Sequence, residues 1–239
     1  MPLTLDELAI HVPGAITVFE EYDLDYYQDG SQTLRSACTE KGLSFKEIDK
    51  RLSELNDHSE IVLPLTLADM SADRLIDYIN GGFHAGEEES LHLLHQQLLS
   101  SNYTKDEQKI LLKTEPHFSV MKERMLDHCR KEDELLFPWM RKLVTLHKTR
   151  AKKNDSRAVT LIRNPLLLLK EEHAAISELL KIVKQTAGNF TVSKTSSESY
   201  RLLLLRFKEF EIDFHMHLHI ENNILFPKLL AMEKSLIHH

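Results

Sequence analysis

Two stretches decide the fold: HCRKEDELLFP, from His128 to Pro138, and HLHIENNILFP, from His217 to Pro227. Each sets a Glu four residues after a His and ends in Leu-Phe-Pro at the same distance. The offset between them is 89 residues (128 to 217), and the same offset carries His84 to His173 and Glu132 to Glu221. In each copy a lone His precedes the paired one by 44 residues (84 to 128, 173 to 217). With 14 His, 10 Phe and 7 Pro in 239 residues, a joint match of His, His, Glu, Phe and Pro at one offset is far outside coincidence. A fixed-period match of this kind marks a duplicated structural unit.

Residues four apart on a helix stack on one face. His128 with Glu132, and His217 with Glu221, can therefore each grip one object beside the helix. One such pair alone reads as a solvated surface pair. Two pairs, each preceded by another His at equal spacing, read as a shared metal site. The set His84, His128, Glu132, His173, His217 and Glu221 offers four imidazoles and two carboxylates, without the thiolates that iron–sulfur clusters and structural zinc use. One ion held by all six would have no open position. Carboxylates bridge metals, so the repeat favours two ions bridged by Glu132 and Glu221, with two His each and an oxo or hydroxo bridge. Iron is the first choice and manganese the alternative; the spacing leaves open which His serves which ion.

Composition bounds the rest. A net charge of −7 and a pI near 6.1 argue against a nucleic-acid partner, which needs a basic field. The start MPLTLDELAI lacks the basic and apolar regions of a signal peptide, and no apolar run approaches a membrane span. Two cysteines, Cys38 and Cys129, cannot frame a disulfide scaffold. A cytoplasmic protein without membrane attachment is the expectation.

Along the chain, residues 1–58 read as a small module of four short helices. Thr4-Leu-Asp-Glu7 is a capping box, Pro13 suits the first turn of GAITVFEEY, Gly42 stops a third helix, and Ser44-Phe-Lys-Glu47 opens a fourth. Asn56–Pro64 reads as a linker. Residues 65–236 then read as an antiparallel four-helix bundle made of two hairpins. The first long helix carries His84 just after Gly81-Gly82, a local break or a place of close backbone approach. The second starts at the box Thr104-Lys-Asp-Glu107 and carries His128 and Glu132, with bends expected at Pro116 and Pro138. After the polar loop HKTRAKKNDSR, Asn164-Pro165 opens the helix of His173, and Ser197 the helix of His217 and Glu221. The fold class is all-α.

The repeated H…HxxxE-x4-FP pattern resembles hemerythrin-like (HHE cation-binding) domains. With the small helical module in front, the order of parts resembles the repair of iron centres family (RIC, YtfE, ScdA) over essentially the whole chain. The resemblance implies that His84, His128, Glu132, His173, His217 and Glu221 hold two iron ions. It also implies protection or restoration of iron–sulfur proteins after oxidative or nitrosative damage, with NO binding at the di-iron centre. Implied partners are NO or O2 and damaged iron–sulfur proteins, with room for a homodimer. The rival readings are an oxygen or redox sensor and an NO-reducing oxidoreductase, so catalysis stays open. The family's N-terminal Cys-Cys pair falls where this chain has Tyr27 and Gln28. Oxygen-carrying hemerythrins use a fifth His, so simple oxygen storage fits less well.

Other candidates read as ordinary positions. His95 and Glu88 are surface or supporting residues rather than ligands. His215 and His219, two residues either side of His217, point away from it and are expected at the surface. Asp213, one turn before His217, could orient it. Cys129 is turned ~100° from His128 on the helix and packs, as do Trp139 and the Phe of each Leu-Phe-Pro.

Overall fold

The computed structural model describes residues 3–12, 14–28, 30–57, 67–149 and 162–238. Four short helices come first: α1 Leu5–His11, α2 Ala15–Glu21, α3 Leu34–Lys41 and α4 Phe45–Asp57. The caps act as their residue types demand. The Glu7 carboxylate accepts the Thr4 N–H at 3.0 Å, the Thr33 hydroxyl accepts from Ser36, and Gly42 ends α3 at φ 66°. Pro13 lies outside the described residues. Gly30 lets the loop before α3 cross α1 closely, since a Cβ there would lie 2.5 Å from that of Asp6.

Four rods follow. The first is α5 Ala72–Tyr78, a π-helical turn Ile79–His84, and α6 Ala85–Leu98. The second is α7 Lys105–Lys131, a π turn Glu132–Leu136, and α8 Phe137–Lys148. The third, α9 Arg163–Thr186, is unbroken. The fourth is α10 Glu198–His219, a π turn Ile220–Leu225, and α11 Phe226–His238. In the bundle α7 packs on α9, α10 on α6, and α11 on α8. Among the described residues β structure amounts to one isolated bridge, Thr4 to Thr33. No described helix is long and apolar enough to cross a membrane.

Several local expectations are modified. Gly81-Gly82 lies in the π turn, and a Cβ on either would meet nothing within 4 Å, so these glycines relax the helix without serving close approach. Pro116 sits inside α7 without ending it, and Pro138 follows a π turn in the first turn of α8, where its missing N–H costs least. The linker read at Asn56–Pro64 is helical to Asp57, and from residue 58 it lies outside the described residues. The polar loop beyond Thr149 lies outside them as well.

Buried apolar side chains form two clusters. One gathers Phe118, Met125, Leu180, Phe207 and Phe214 and runs without a break into Leu5, Phe19, Tyr26 and Ile48 of the N-terminal helices. The other holds Ile79, Met140, Leu169, Ile224 and Leu229 at the far end of the bundle. The repeated His and Glu residues occupy the layer between the two. The N-terminal helices thus share one apolar core with the bundle.

Candidate metal centre

All six repeated residues meet in that layer. His84 is 5 % exposed, His128 1 %, and Glu132, His173, His217 and Glu221 are fully buried. They form two overlapping sets, His84/His217 and His128/His173, and both sets include Glu132 and Glu221. The pairing that spacing left open is therefore one lone His with the paired His of the other hairpin in the first set, and the converse in the second. Glu132 Oε2 lies 3.3 Å from Nε2 of both His84 and His128, while Glu221 Oε2 lies 3.1 Å from His173 and 3.5 Å from His217. Each carboxylate faces one imidazole of each set. Three of the four rods place a π turn here, at Ile79–His84, Glu132–Leu136 and Ile220–Leu225. Such turns in α-helices concentrate at functional sites.

The remaining ring nitrogens are held from behind, and these holders escaped sequence reading. The Nδ1–H of His84 donates to Asp133 at 2.7 Å, that of His128 to Glu172 at 3.0 Å, and that of His217 to Glu87 at 3.0 and 3.1 Å. His173 Nδ1 pairs with the Asn222 side-chain oxygen at 3.1 Å. Partners of this kind set the tautomer, leave Nε2 free for a metal, and make the ligand more basic. One signal was available: Asp133 and Asn222 are themselves 89 apart (133 to 222), each directly after its Glu. Glu87 has no such mark; the equivalent of Glu172 in the other half is residue 83 (172 − 89), Phe83, which stacks on His217 at 5.4 Å. The Phe of each Leu-Phe-Pro is core as expected, and also stacks on the lone His of its own hairpin: Phe137 on His84 at 5.5 Å, Phe226 on His173 at 6.1 Å.

Does this donor set fit a metal? All four oxygens of Glu132 and Glu221, and Nε2 of His84 and His217, are buried without a hydrogen-bond partner. Orphaned buried carboxylate is among the costliest arrangements in a protein interior. His128 and His173 also point their Nε2 atoms at each other across 3.1 Å. A cation seated between these atoms relieves both conflicts. The local electrostatics agree. Burial alone would lower the His128 pKa, yet Glu132 and Glu172 push it up to about 10. His217 is likewise raised against burial, by Glu87 and Glu221, and Glu221 is held well below the usual carboxylate range by His217 and His173. The cluster fits iron binding.

Other candidates take definite places. His95 is half-buried, 3.4 Å from Glu115 and 3.2 Å from the Ser119 hydroxyl, away from the centre. Glu88 lines a cavity of about 690 Å³ that opens against His84, Cys129 and Asp133. Asp213 is exposed, and Glu87 orients His217 in its place. The expectation of surface positions for His215 and His219 is wrong: they are 5 % and 2 % exposed. They do face away from the centre, but the N-terminal helices cover that face. His215 donates to Glu20 at 2.8 Å, and His219 Nδ1 lies 3.3 Å from the Tyr26 carbonyl. Helix periodicity shows which way a side chain points, whereas burial depends on what packs there.

Residues 3–56 match the family model ScdA_N, described as a domain of unknown function (DUF542), and residues 164–239 match the hemerythrin HHE cation binding domain. The chain thus resembles an ScdA-type N-terminal domain at its start and a hemerythrin HHE domain in its second half. The hemerythrin match spans only the second copy of the repeat, and the structure brings the first copy, His84, His128 and Glu132, to the same centre. The chain is 29% identical over 227 residues to a protein of Haemophilus influenzae named a probable iron-sulfur cluster repair protein, covering 95% of this chain and 96% of the relative. It is 28% identical over 232 residues to the iron-sulfur cluster repair protein YtfE of Escherichia coli O157:H7, covering 96% and 97%. To YtfE of an Enterobacter species it is 26% identical over 230 residues, again covering 96% and 97%. The chain is thus similar to these proteins over nearly its whole length.

Proposed function

We propose that the chain is a di-iron protein that protects or restores iron–sulfur centres damaged by oxidative or nitrosative stress. The observation that carries the reading is the pair of His2Glu2 sets sharing Glu132 and Glu221. In this reading His84 and His217 would hold one iron and His128 and His173 the other, with Glu132 and Glu221 serving both. Iron held there would supply binding chemistry for a diatomic ligand, NO first and O2 second. The chain's own residues do the rest. Asp133, Glu172, Glu87 and Asn222 keep each Nε2 lone pair aimed inward. The apolar clusters on either side exclude bulk water, and the cavity against His84 gives a small molecule a way in. The repair role is supported by the relatives named for iron-sulfur cluster repair, which match this chain over nearly their whole length.

The test has two arms. Protein loaded with Fe(II) anaerobically should hold about two irons per chain and change its optical spectrum on NO addition. The loaded protein should also speed recovery of an NO-inactivated iron–sulfur dehydratase, and Glu221→Ala should not. A single tetrahedral ion, or recovery unaffected by Glu221→Ala, would reject the reading.

A further inference from the structure

The four outer holders are not equivalent. Behind His84 and His217 stand two carboxylates, Asp133 and Glu87. Behind His128 stands Glu172, whose charge is shared with Lys131 at 2.9 Å, and behind His173 stands the neutral amide of Asn222. The repeat makes the difference pointed, since Asn222 occupies the place that Asp133 holds in the first half.

Asn222 also has a second partner. Its amide nitrogen donates to the backbone carbonyl of Tyr27 at 3.0 Å. A carbonyl can only accept, so the amide orientation is settled: NH2 toward Tyr27, oxygen toward His173. The oxygen can then only accept, which makes His173 Nδ1 the donor and gives its Nε2 the free lone pair. A loop of the N-terminal helices thereby decides the tautomer of a buried imidazole in the bundle. The neighbouring contacts hold that loop firmly. Asn223 donates to the Tyr26 carbonyl at 2.8 Å, and Tyr27 lies stacked on His215 with ring centroids 3.8 Å apart.

We infer that Asn222 is a positioning residue through which the loop at residues 24–28 sets His173, and that it leaves the His128/His173 metal position the weaker of the two. The inference rests on the two-ion reading above. An amide acceptor polarises the imidazole less than a carboxylate, and outer partners of this kind change metal affinity by about ten- to a hundredfold. The same bonds run in reverse: an ion seated on His173 steadies Asn222 and with it the loop.

The experiment is titration of the metal-free full-length chain with Co(II), followed by its visible bands. The wild type should bind two ions in two steps at least about tenfold apart. Asn222→Ala should weaken the second step by a further ten- to a hundredfold and leave the first within about threefold. Asn222→Asp keeps an acceptor for His173 but loses the donor to the Tyr27 carbonyl. The second step should return to the wild-type value or tighter, which a purely structural role would not do, while loading no longer slows exchange in the loop. Hydrogen exchange at residues 24–28 should slow on loading in the wild type and not in Asn222→Ala. Two ions bound with equal affinity, or Asn222→Ala shifting both steps alike or neither, overturns the inference alone. Failure of Asn222→Asp to restore the second step also overturns it. Fewer than two cobalt ions per wild-type chain overturns the two-ion reading and the inference with it. Should Asn222→Ala fail to fold, the aspartate variant and the wild-type exchange decide.

Discussion

The ring of His215 lies flat on the ring of Tyr27, centroids 3.8 Å apart and planes 9° from parallel, with the His215 Nδ1–H donating to Glu20 at 2.8 Å. The contact joins α10 to the N-terminal helices inside a shared core. His215→Ala removes a stacked pair worth about 0.5–1.5 kcal/mol and a charge-assisted hydrogen bond worth about 1.5–3 kcal/mol. Urea unfolding should show a loss of about 2–4 kcal/mol, whereas His117→Ala, at an exposed position of α7, should stay within about 0.5 kcal/mol of wild type. A His215→Ala protein as stable as the His117→Ala control would mean that the docking is weak.

Metal should stabilise the fold strongly, because Glu132 and Glu221 are fully buried with unpartnered oxygens. Free ion at a hundred times its dissociation constant adds about 2.7 kcal/mol. For a chain of this size that raises Tm by about 5–10 °C. Calorimetry with Fe(II) and then with excess chelator checks both directions, and a Tm indifferent to either would contradict a built site.

The bridges should matter more than any single imidazole. Glu221 Oε2 faces both His173 and His217, so Glu221→Ala should strip both positions, while His173→Ala should weaken one. His219→Ala should cost stability at the Tyr26 contact yet keep full metal. Metal analysis of the three variants after desalting separates these outcomes, and equal loss in the 219 and 173 variants would put the ligand set in error.

Glu107 ties two hairpins together. Its carboxylate accepts the Thr104 N–H at 2.9 Å, and the Ser197 N–H and hydroxyl at 2.8 Å each, capping α7 and α10 at once. Burial raises its pKa, but these bonds outweigh burial and hold it below 4.5. A carboxylate with a depressed folded pKa adds stability above its unfolded pKa and loses it as pH falls through the folded value. Glu107→Ala should therefore cost about 2–3 kcal/mol at pH 7, and the gap to wild type should start to narrow as pH falls below about 4.5. Denaturant curves at pH 7, 5.5 and 4 measure it.

Neither thiol should react readily in the folded chain. Cys38 is 1 % exposed and Cys129 8 %, and burial raises both thiols, with Glu87 adding to the effect at Cys129. Iodoacetamide should label them slowly in buffer and fully in urea, as read by mass spectrometry. Fast labelling of Cys38 in buffer would show that the N-terminal helices open.

The sequence by itself determined the helices, their caps, the duplication and the six inward-facing residues. Each of these depends on spacings of three or four residues or on an exact copy of such a spacing, and local backbone geometry enforces them. The offset of 89 would also have delivered Asp133 and Asn222, because they are part of what was copied. Tertiary structure alone decided which His share an ion, that Glu87 reaches His217 across 130 residues, and that Tyr27 holds Asn222 across 195. It alone also put His215 and His219 under the N-terminal helices. Those outcomes follow from how rods and loops approach one another, which is set by the packing of two whole apolar clusters and leaves no periodic trace along the chain.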